Sequence, residues 1–398
     1  MLANRVKNLK PSPTLALAAK AKELKAQGND VISLTVGEPD WDTFATIKQA
    51  AIQAIENGET KYTPASGMPE LRKIIAEQTS KDLSLNYAAE EVTVSAGGKF
   101  VIFSALQSLL DPGDEVIIPA PYWVSYPTQV ELAEGKPVIV PTKKENRFML
   151  TGAELEKAIT DKTKMLIINS PSNPTGNMYS AEALNDLAQV LLKYPKIMLM
   201  SDDIYNRLVF NKEGLAPHIL HQAPQLKDRV IIINGVSKTY SMTGWRLGWA
   251  LGPKSVIAAM SNYQSQSVSC AAAFTQRASI EAIRACDEEL KSSIKSLLVR
   301  RDFVIEHLNQ LAHVTLEVPD GAFYVWPDIS YYLGKSWQGK KLVDSGDFST
   351  ALLESQMVAT VPGKEFGQEG YLRLSYAVKE ERMKEAIARI QTFLQQLN

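Results

Sequence analysis

Cysteine is nearly missing from this 398-residue chain. Cys270 and Cys286 stand alone, without metal-ligand spacing and too few for a disulfide framework, which favours a reducing compartment. Histidine is scarce as well: His218, His221, His307 and His313 form no ligand set, and no His-Glu-x-x-His occurs, so no metal site is expected. Charge is balanced, Lys+Arg 43 against Asp+Glu 44, and no long like-charge run is present. That excludes the basic footprint of a nucleic-acid partner. No apolar stretch is long enough to span a bilayer. Met1 to Pro13 lacks the apolar core and small-residue cleavage site of a secretory signal. The expectation is a cytoplasmic protein with neither membrane nor nucleic acid as partner. There is no internal repeat and no Gly-x-Gly-x-x-Gly. Gly334-Lys-Ser-Trp-Gln-Gly-Lys-Lys341 nearly fits a P-loop, but Lys341 stands where Ser or Thr should hold Mg²⁺, and no buried strand precedes it.

What is present is a soluble globular composition, 45% hydrophobic and 22% charged, in a chain long enough for two domains. Seven short apolar runs alternate with helical segments: Val92–Val94, Glu115–Ile118, Pro137–Val140, Met165–Asn169, Ile197–Met200, Val230–Ile233 and Gly248–Leu251. Most lack polar alternation, the mark of strands buried on both faces. The fold class is therefore α/β with a largely parallel sheet, and ligands belong at the carboxyl ends of its strands. Earlier, Lys10-Pro-Ser-Pro-Thr14 enters a helix over Leu15–Gln27, and Val31–Val36 reads as a strand. Later, Ser255–Leu311 is mostly helical. Short strands at Thr315–Val318, Ala322–Trp326, Val358–Val361 and Leu372–Tyr376 then mix with helices, the last over Glu380–Leu397, as in a smaller α+β unit.

The strand ends carry the chemistry. After Val230–Ile233 comes Asn234-Gly-Val-Ser-Lys238, and eight residues on is Arg246. A desolvated lysine near another cation loses its proton readily and attacks carbonyls; an arginine fork suits phosphate. The pair suggests pyridoxal phosphate held covalently. Ser95-Ala-Gly-Gly-Lys99 presents backbone amides at a helix start, although a plain strand-to-helix turn reads the same way. Lys99 lies in the first helical turn, where the macrodipole disfavours a cation, which hints that it meets an anion. Trp123 in Pro121-Tyr-Trp123 could stack on a planar ring or simply fill the core. Asn169-Ser-Pro-Ser-Asn-Pro-Thr-Gly176 holds Asn173 on a stiff path. In Ser201-Asp-Asp-Ile-Tyr205 an acid could keep a pyridine nitrogen protonated, or Asp202 could cap a helix. Tyr205 could donate to the ring's phenolic oxygen. Gly37 would let the backbone approach a ligand or merely turn. Arg373, in an apolar run, needs an anion, whether a substrate's or a protein carboxylate.

Taken together, Ser-Lys-Thr-Tyr-Ser-Met-Thr-Gly-Trp-Arg at 237–246, Asn-Pro-Thr-Gly at 173–176, Ser-Asp-Asp-Ile-Tyr at 201–205 and Arg-Leu-Ser-Tyr at 373–376 resemble the class I aminotransferases of fold type I. The likeness covers essentially the whole chain and is strongest to the bacterial aspartate aminotransferase branch, some of whose members also aminate prephenate. It implies a large domain with a mostly parallel seven-stranded sheet flanked by helices, and a smaller α+β domain built from both chain ends. The expected division is 1–45 for an arm and part of the small domain, 46–290 for the large domain and 291–398 for the rest. By the resemblance, Lys238 carries pyridoxal 5′-phosphate and moves the proton, Asp202 pairs with the pyridinium, and Tyr205 and Asn173 hold the ring oxygen. Trp123 stacks on the ring. Gly98, Lys99, Arg246 and Tyr62 of a neighbouring subunit bind phosphate, implying a homodimer. Arg373 grips the α-carboxylate beside Gly37 and Asn173, while Lys10 belongs to a closing lid.

Two departures matter. Many relatives place a phosphate-binding serine where this chain has Gly235, leaving Ser237 to substitute. No arginine lies between Ser261 and Ser269 to read a distal carboxylate from the neighbouring subunit; in the bacterial branch a lysine at the place of Lys99 does so. The implied reaction is ping-pong transfer from L-aspartate to 2-oxoglutarate through pyridoxamine phosphate, with prephenate or aromatic amino acid aminotransferase as the alternative.

Overall fold

The computed structural model describes residues 2–7, 9 and 13–398; Lys10 lies outside the described residues. Seven strands form one sheet: β1 (Val92–Ser95), β2 (Glu115–Ala120), β3 (Lys136–Pro141), β4 (Thr163–Asn169), β5 (Met198–Asp202), β6 (Val230–Gly235) and β7 (Gly248–Leu251). Their order is β1-β7-β6-β5-β4-β2-β3. All neighbours are parallel except at β7, which runs antiparallel to both β6 and β1.

The unbroken apolar runs have a simple cause. Side chains alternate across a strand, and both faces of this sheet are covered. Ile117, Leu166, Ile168, Leu199 and Ile232 join one core. Their immediate neighbours Val116, Ile118, Met165, Ile167, Met200, Ile231 and Ile233 join another on the opposite face. β3, at one edge, is the exception: it is half covered and Ile139 is 37% exposed, whereas the other edge strand, β1, is buried throughout.

A third core gathers Ile32 and Leu34 from the beginning of the chain with Val304, Leu308, Phe348 and Phe393 from its end. It packs on a three-stranded antiparallel sheet of β8 (Tyr324–Val325), β9 (Val361–Pro362) and β10 (Leu372–Ser375), with β10 central. The expected strand over Val31–Val36 pairs only through Ile32–Ser33, parallel to Val358–Ala359. The run Val358–Val361 splits between two sheets at Thr360, whose hydroxyl turns to Ser349 Oγ at 3.1 Å. Thr315–Val318 makes a single bridge, Thr315 to Asp328. The long helical stretch is three helices, Lys254–Ser265, Ala273–Ala285 and Asp287–Leu308. Near the other end of the small unit, the P-loop-like segment is a hairpin pairing Ser336–Trp337 with the exposed Lys340–Lys341. Among the described residues no helix is long and apolar enough to cross a membrane.

The strand directions fix where a site can form. Because β1, β2, β4, β5 and β6 all point the same way, Ser95, Ala120, Asn169, Asp202 and Gly235 end at one edge of the sheet. β7 begins at that edge, with Gly248 opposite both Gly235 and Ser95. Three backbones crowd there. A Cβ on Gly248 would stand 2.6 Å from the amide nitrogen of Gly98, and one on Gly235 would stand 2.9 Å from the carbonyl oxygen of Leu247. The helix Gly98–Leu109 can therefore start directly against the strand ends only because these positions lack side chains.

Gly248→Ala should cost roughly 1–3 kcal/mol in urea unfolding, since the clash is with backbone that cannot rotate away. Gly244→Ala, which meets nothing within 4 Å, should stay within about 0.5 kcal/mol and serves as the control.

Candidate active site

A cavity of about 630 Å³ opens at that sheet edge, between the strand ends and the small unit. The large unit contributes Gly98, Lys99, Trp123, Asn173, Asp202, Tyr205, Ser237, Lys238 and Arg246 to its wall, and the chain ends contribute Gly37 and Arg373. Residues called from seven separate segments thus meet in one place. Tyr62 is the outlier: it is 91% exposed and does not line this cavity.

Lys238 sits three residues beyond β6, and its Nζ donates to the carbonyl oxygen of Gly37 at 2.5 Å. Burial and the guanidiniums of Arg373 and Arg246 depress its ammonium to about 8, against the pull of Glu38 and Asp202. Asp202 is the last residue of β5. Burial raises its carboxyl to about 6, opposed by hydrogen bonds from the Tyr126 hydroxyl at 2.5 Å and the Ile204 amide at 3.3 Å. The adjacent acid turns the other way: Asp203 meets Ser201 Oγ at 2.6 Å and lies 3.5 Å from His218 Nε2, outside the cavity. Of the two aspartates, only Asp202 faces the lysine's cavity. It ends a strand and caps no helix.

Arg373 resolves the question left by its apolar surroundings. It is 2% exposed, its Nη1 donates to Asn173 Oδ1 at 3.1 Å and its Nη2 to the carbonyl oxygen of Thr35 at 2.5 Å. Its Nε has no partner. Among the described residues no carboxylate pairs with it; its flat faces meet the rings of Tyr324 at 4.7 Å and Phe366 at 5.3 Å. A buried guanidinium so arranged can take an anion from outside the chain as its partner. Asn173 is itself set by Asn169 Oδ1, which accepts from its backbone amide at 2.8 Å.

At the opposite end, Arg246 donates through Nη1 to the carbonyl oxygen of Thr243 at 2.8 Å. Gly97, with φ +89°, lets the helix start approach it: a Cβ there would lie 2.6 Å from Arg246 Nη2. Arg246, the helix start at Gly98 and the buried Ser237 line the same cavity, a set of donors whose chemistry suits a phosphate. Gly235 stays glycine because any side chain would strike Leu247 and Gly248. Lys99 stands exposed at the mouth, its Nζ 5.0 Å from the Trp123 ring centroid. Partial desolvation and Arg246 hold its ammonium below the ordinary lysine value.

Three contributors were not singled out from the sequence. Tyr126 holds Asp202 and packs edge-on against Trp123 at 5.3 Å. Tyr324 meets Tyr205 hydroxyl to hydroxyl at 2.9 Å. Glu38 accepts from Thr243 Oγ1 at 2.6 Å. The aromatic spacing Tyr122-Trp-Val-Ser-Tyr126 was the one available signal for the first.

With the cavity free of ligand, Lys238 should react with trinitrobenzenesulfonate along a pH profile centred near 8, read by peptide mapping. A midpoint near 10.5, the ordinary lysine value, would contradict the depressed amine.

The sequence profile of the family described as aminotransferase class I and II matches residues 29–390. The aspartate/prephenate aminotransferase of Cereibacter sphaeroides is 48% identical over 98% of both chains, and that of Nitrosomonas europaea 44% identical over 99% of both. Among solved structures, the aspartate aminotransferase of Rhizobium meliloti superposes with a TM-score of 0.96 at 42% identity, covering 100% of each chain. That of Thermus thermophilus with maleate gives 0.92 at 40% identity over 99% of each. With the strand-end lysine, the buried arginine and this match along most of its length, the chain belongs to the class I and II aminotransferases.

Proposed function

We propose that this enzyme transfers the amino group of L-aspartate to 2-oxoglutarate with pyridoxal 5′-phosphate as cofactor, in two ping-pong half-reactions. The observation that carries the reading is the pairing, in one cavity, of a lysine depressed to about 8 with a buried arginine that no carboxylate among the described residues satisfies. Pyridoxal phosphate, when bound, supplies a carbonyl for the amine and a ring that accepts the electron pair left on the α-carbon.

The protein's own part is binding and proton handling. The phosphate falls to Arg246, the Gly98 and Lys99 amides and Ser237, with Tyr62 of a second copy completing the cradle in a homodimer. Asp202, oriented by Tyr126, keeps a proton on the ring nitrogen, because an ionised acid in a desolvated wall favours a cationic neighbour. Tyr205 and Asn173 direct the ring oxygen, and Trp123 covers a ring face. Arg373 takes the α-carboxylate through its fork, leaving Lys238 Nζ to remove the α-proton and return it. Lys99 receives the distal carboxylate at the mouth. We assign closure to a unit built from 1–45 and 291–398 around 46–290, with Lys10 in the lid, and place the enzyme in the cytoplasm.

A second reading has its own support: both relatives described above are named for prephenate as well as aspartate. Prephenate also presents a distal carboxylate to Lys99. Half-reactions with aspartate, glutamate, phenylalanine and arogenate, followed by absorbance, separate the two and also test for an aromatic donor.

Lys238→Ala should leave the fold intact and remove turnover; borohydride should label position 238 in the wild type alone. Substantial retained activity refutes the reading. Lys99→Ala should lower kcat/KM for dicarboxylic substrates on the order of 10²-fold and change phenylalanine little, since only the former lose a charge partner. Equal losses would remove Lys99 from substrate choice.

A further inference from the structure

Tyr324 has no part in the assignments above, yet it meets two of the assigned residues, Tyr205 and Arg373. It opens β8 of the small sheet, opposite Ser375 of β10, and is 0% exposed. Its hydroxyl lies 2.9 Å from that of Tyr205. Its ring underlies the Arg373 guanidinium at 4.7 Å, and its oxygen would stand 3.1 Å from a Cβ on Gly37. Tyr205 comes from the loop after β5, so one hydrogen bond joins the two units across the cavity.

The direction of that bond follows from counting protons. Each tyrosine hydroxyl has one hydrogen to give. If Tyr205 spends its hydrogen on the ring oxygen of the cofactor, its oxygen can only accept, and Tyr324 must donate. A donor whose ring faces a guanidinium is the stronger for it, and a chain of two hydrogen bonds polarises the second. We propose that Tyr324 is a positioning residue: it fixes Tyr205 as a donor into the cavity and links that donor to Arg373. The same chain carries a signal. A substrate carboxylate that neutralises Arg373 weakens Tyr324 as donor, and through it Tyr205.

The charged and titratable groups that face this hydroxyl pair are Arg373, Glu38 and Asp202, with Lys238 across the same cavity. None of them offers Tyr205 an alternative donor hydrogen bond in this structure.

The inference rests on the cofactor reading and is tested on the holoenzyme through the pH dependence of the bound cofactor's visible absorbance. A donor to the ring oxygen favours its anionic form, so removing the polarising partner should raise the midpoint. Tyr324→Phe, which keeps the ring, should move it upward by about half a pH unit. In a Tyr205→Phe background the same change should move it no further. Gly37→Ala, which crowds the hydroxyl without altering Tyr324, provides a second variant with the same expected direction and the same dependence on Tyr205. A shift that persists without Tyr205, or no shift in either variant, overturns the proposal. A wild type with no cofactor absorbance overturns the cofactor reading instead.

Discussion

A cation held in the interior without a counter-ion is the constraint on which this architecture turns. Arg373 is surrounded by two aromatic faces, the Thr35 carbonyl and the Asn173 amide oxygen, and no acid among the described residues pairs with it. Burying a charge in that way costs several kcal/mol unless an anion returns to it. The chain tolerates the cost because Asn173 and the Thr35 carbonyl absorb two of the donors. What remains unsatisfied is a demand for a carboxylate of a particular geometry. The same cation helps depress Lys238, so the unpaired guanidinium and the weakened ammonium are coupled within one cavity.

Around that constraint, the sheet does the positioning. Parallel strands deliver their carboxyl ends to one edge, where residues at or just after the ends of β1, β2, β4, β5 and β6 line the cavity. The loops that carry them are clasped together: Thr43 donates to the Ser241 carbonyl at 2.6 Å, Trp245 Nε1 donates to Thr43 at 3.0 Å, and Arg300 pairs with Asp40 at 2.6 Å. The beginning of the chain is thereby fastened to the loop that holds Lys238 and Arg246. Glycines at 97, 235 and 248 let three backbones converge, which brings a helix start and the Arg246 guanidinium together.

Much of this was legible in the residues. The seven apolar runs became seven strands because covering both faces removes polar alternation, a pattern that survives in sequence. The short pairings at Ile32–Ser33 and Val358–Ala359 were less legible, since pairing there depends on neighbours remote in the chain. Tyr126 and Tyr324 escaped notice for the same reason. A tyrosine beside a strand end looks like core packing until the acid or hydroxyl it meets, 76 or 119 residues away, is brought to it.

The order of elements and the choice of Lys238, Asp202 and Arg373 as residues to look for at the carboxyl ends of the strands came from the sequence by itself, because local periodicity and side-chain chemistry are written residue by residue. Which of two adjacent aspartates faces the lysine, whether Arg373 already owns a partner, and why Gly235 admits no side chain were decided only by the tertiary structure. Each depends on distances between segments far apart in the chain, and folding alone sets those distances.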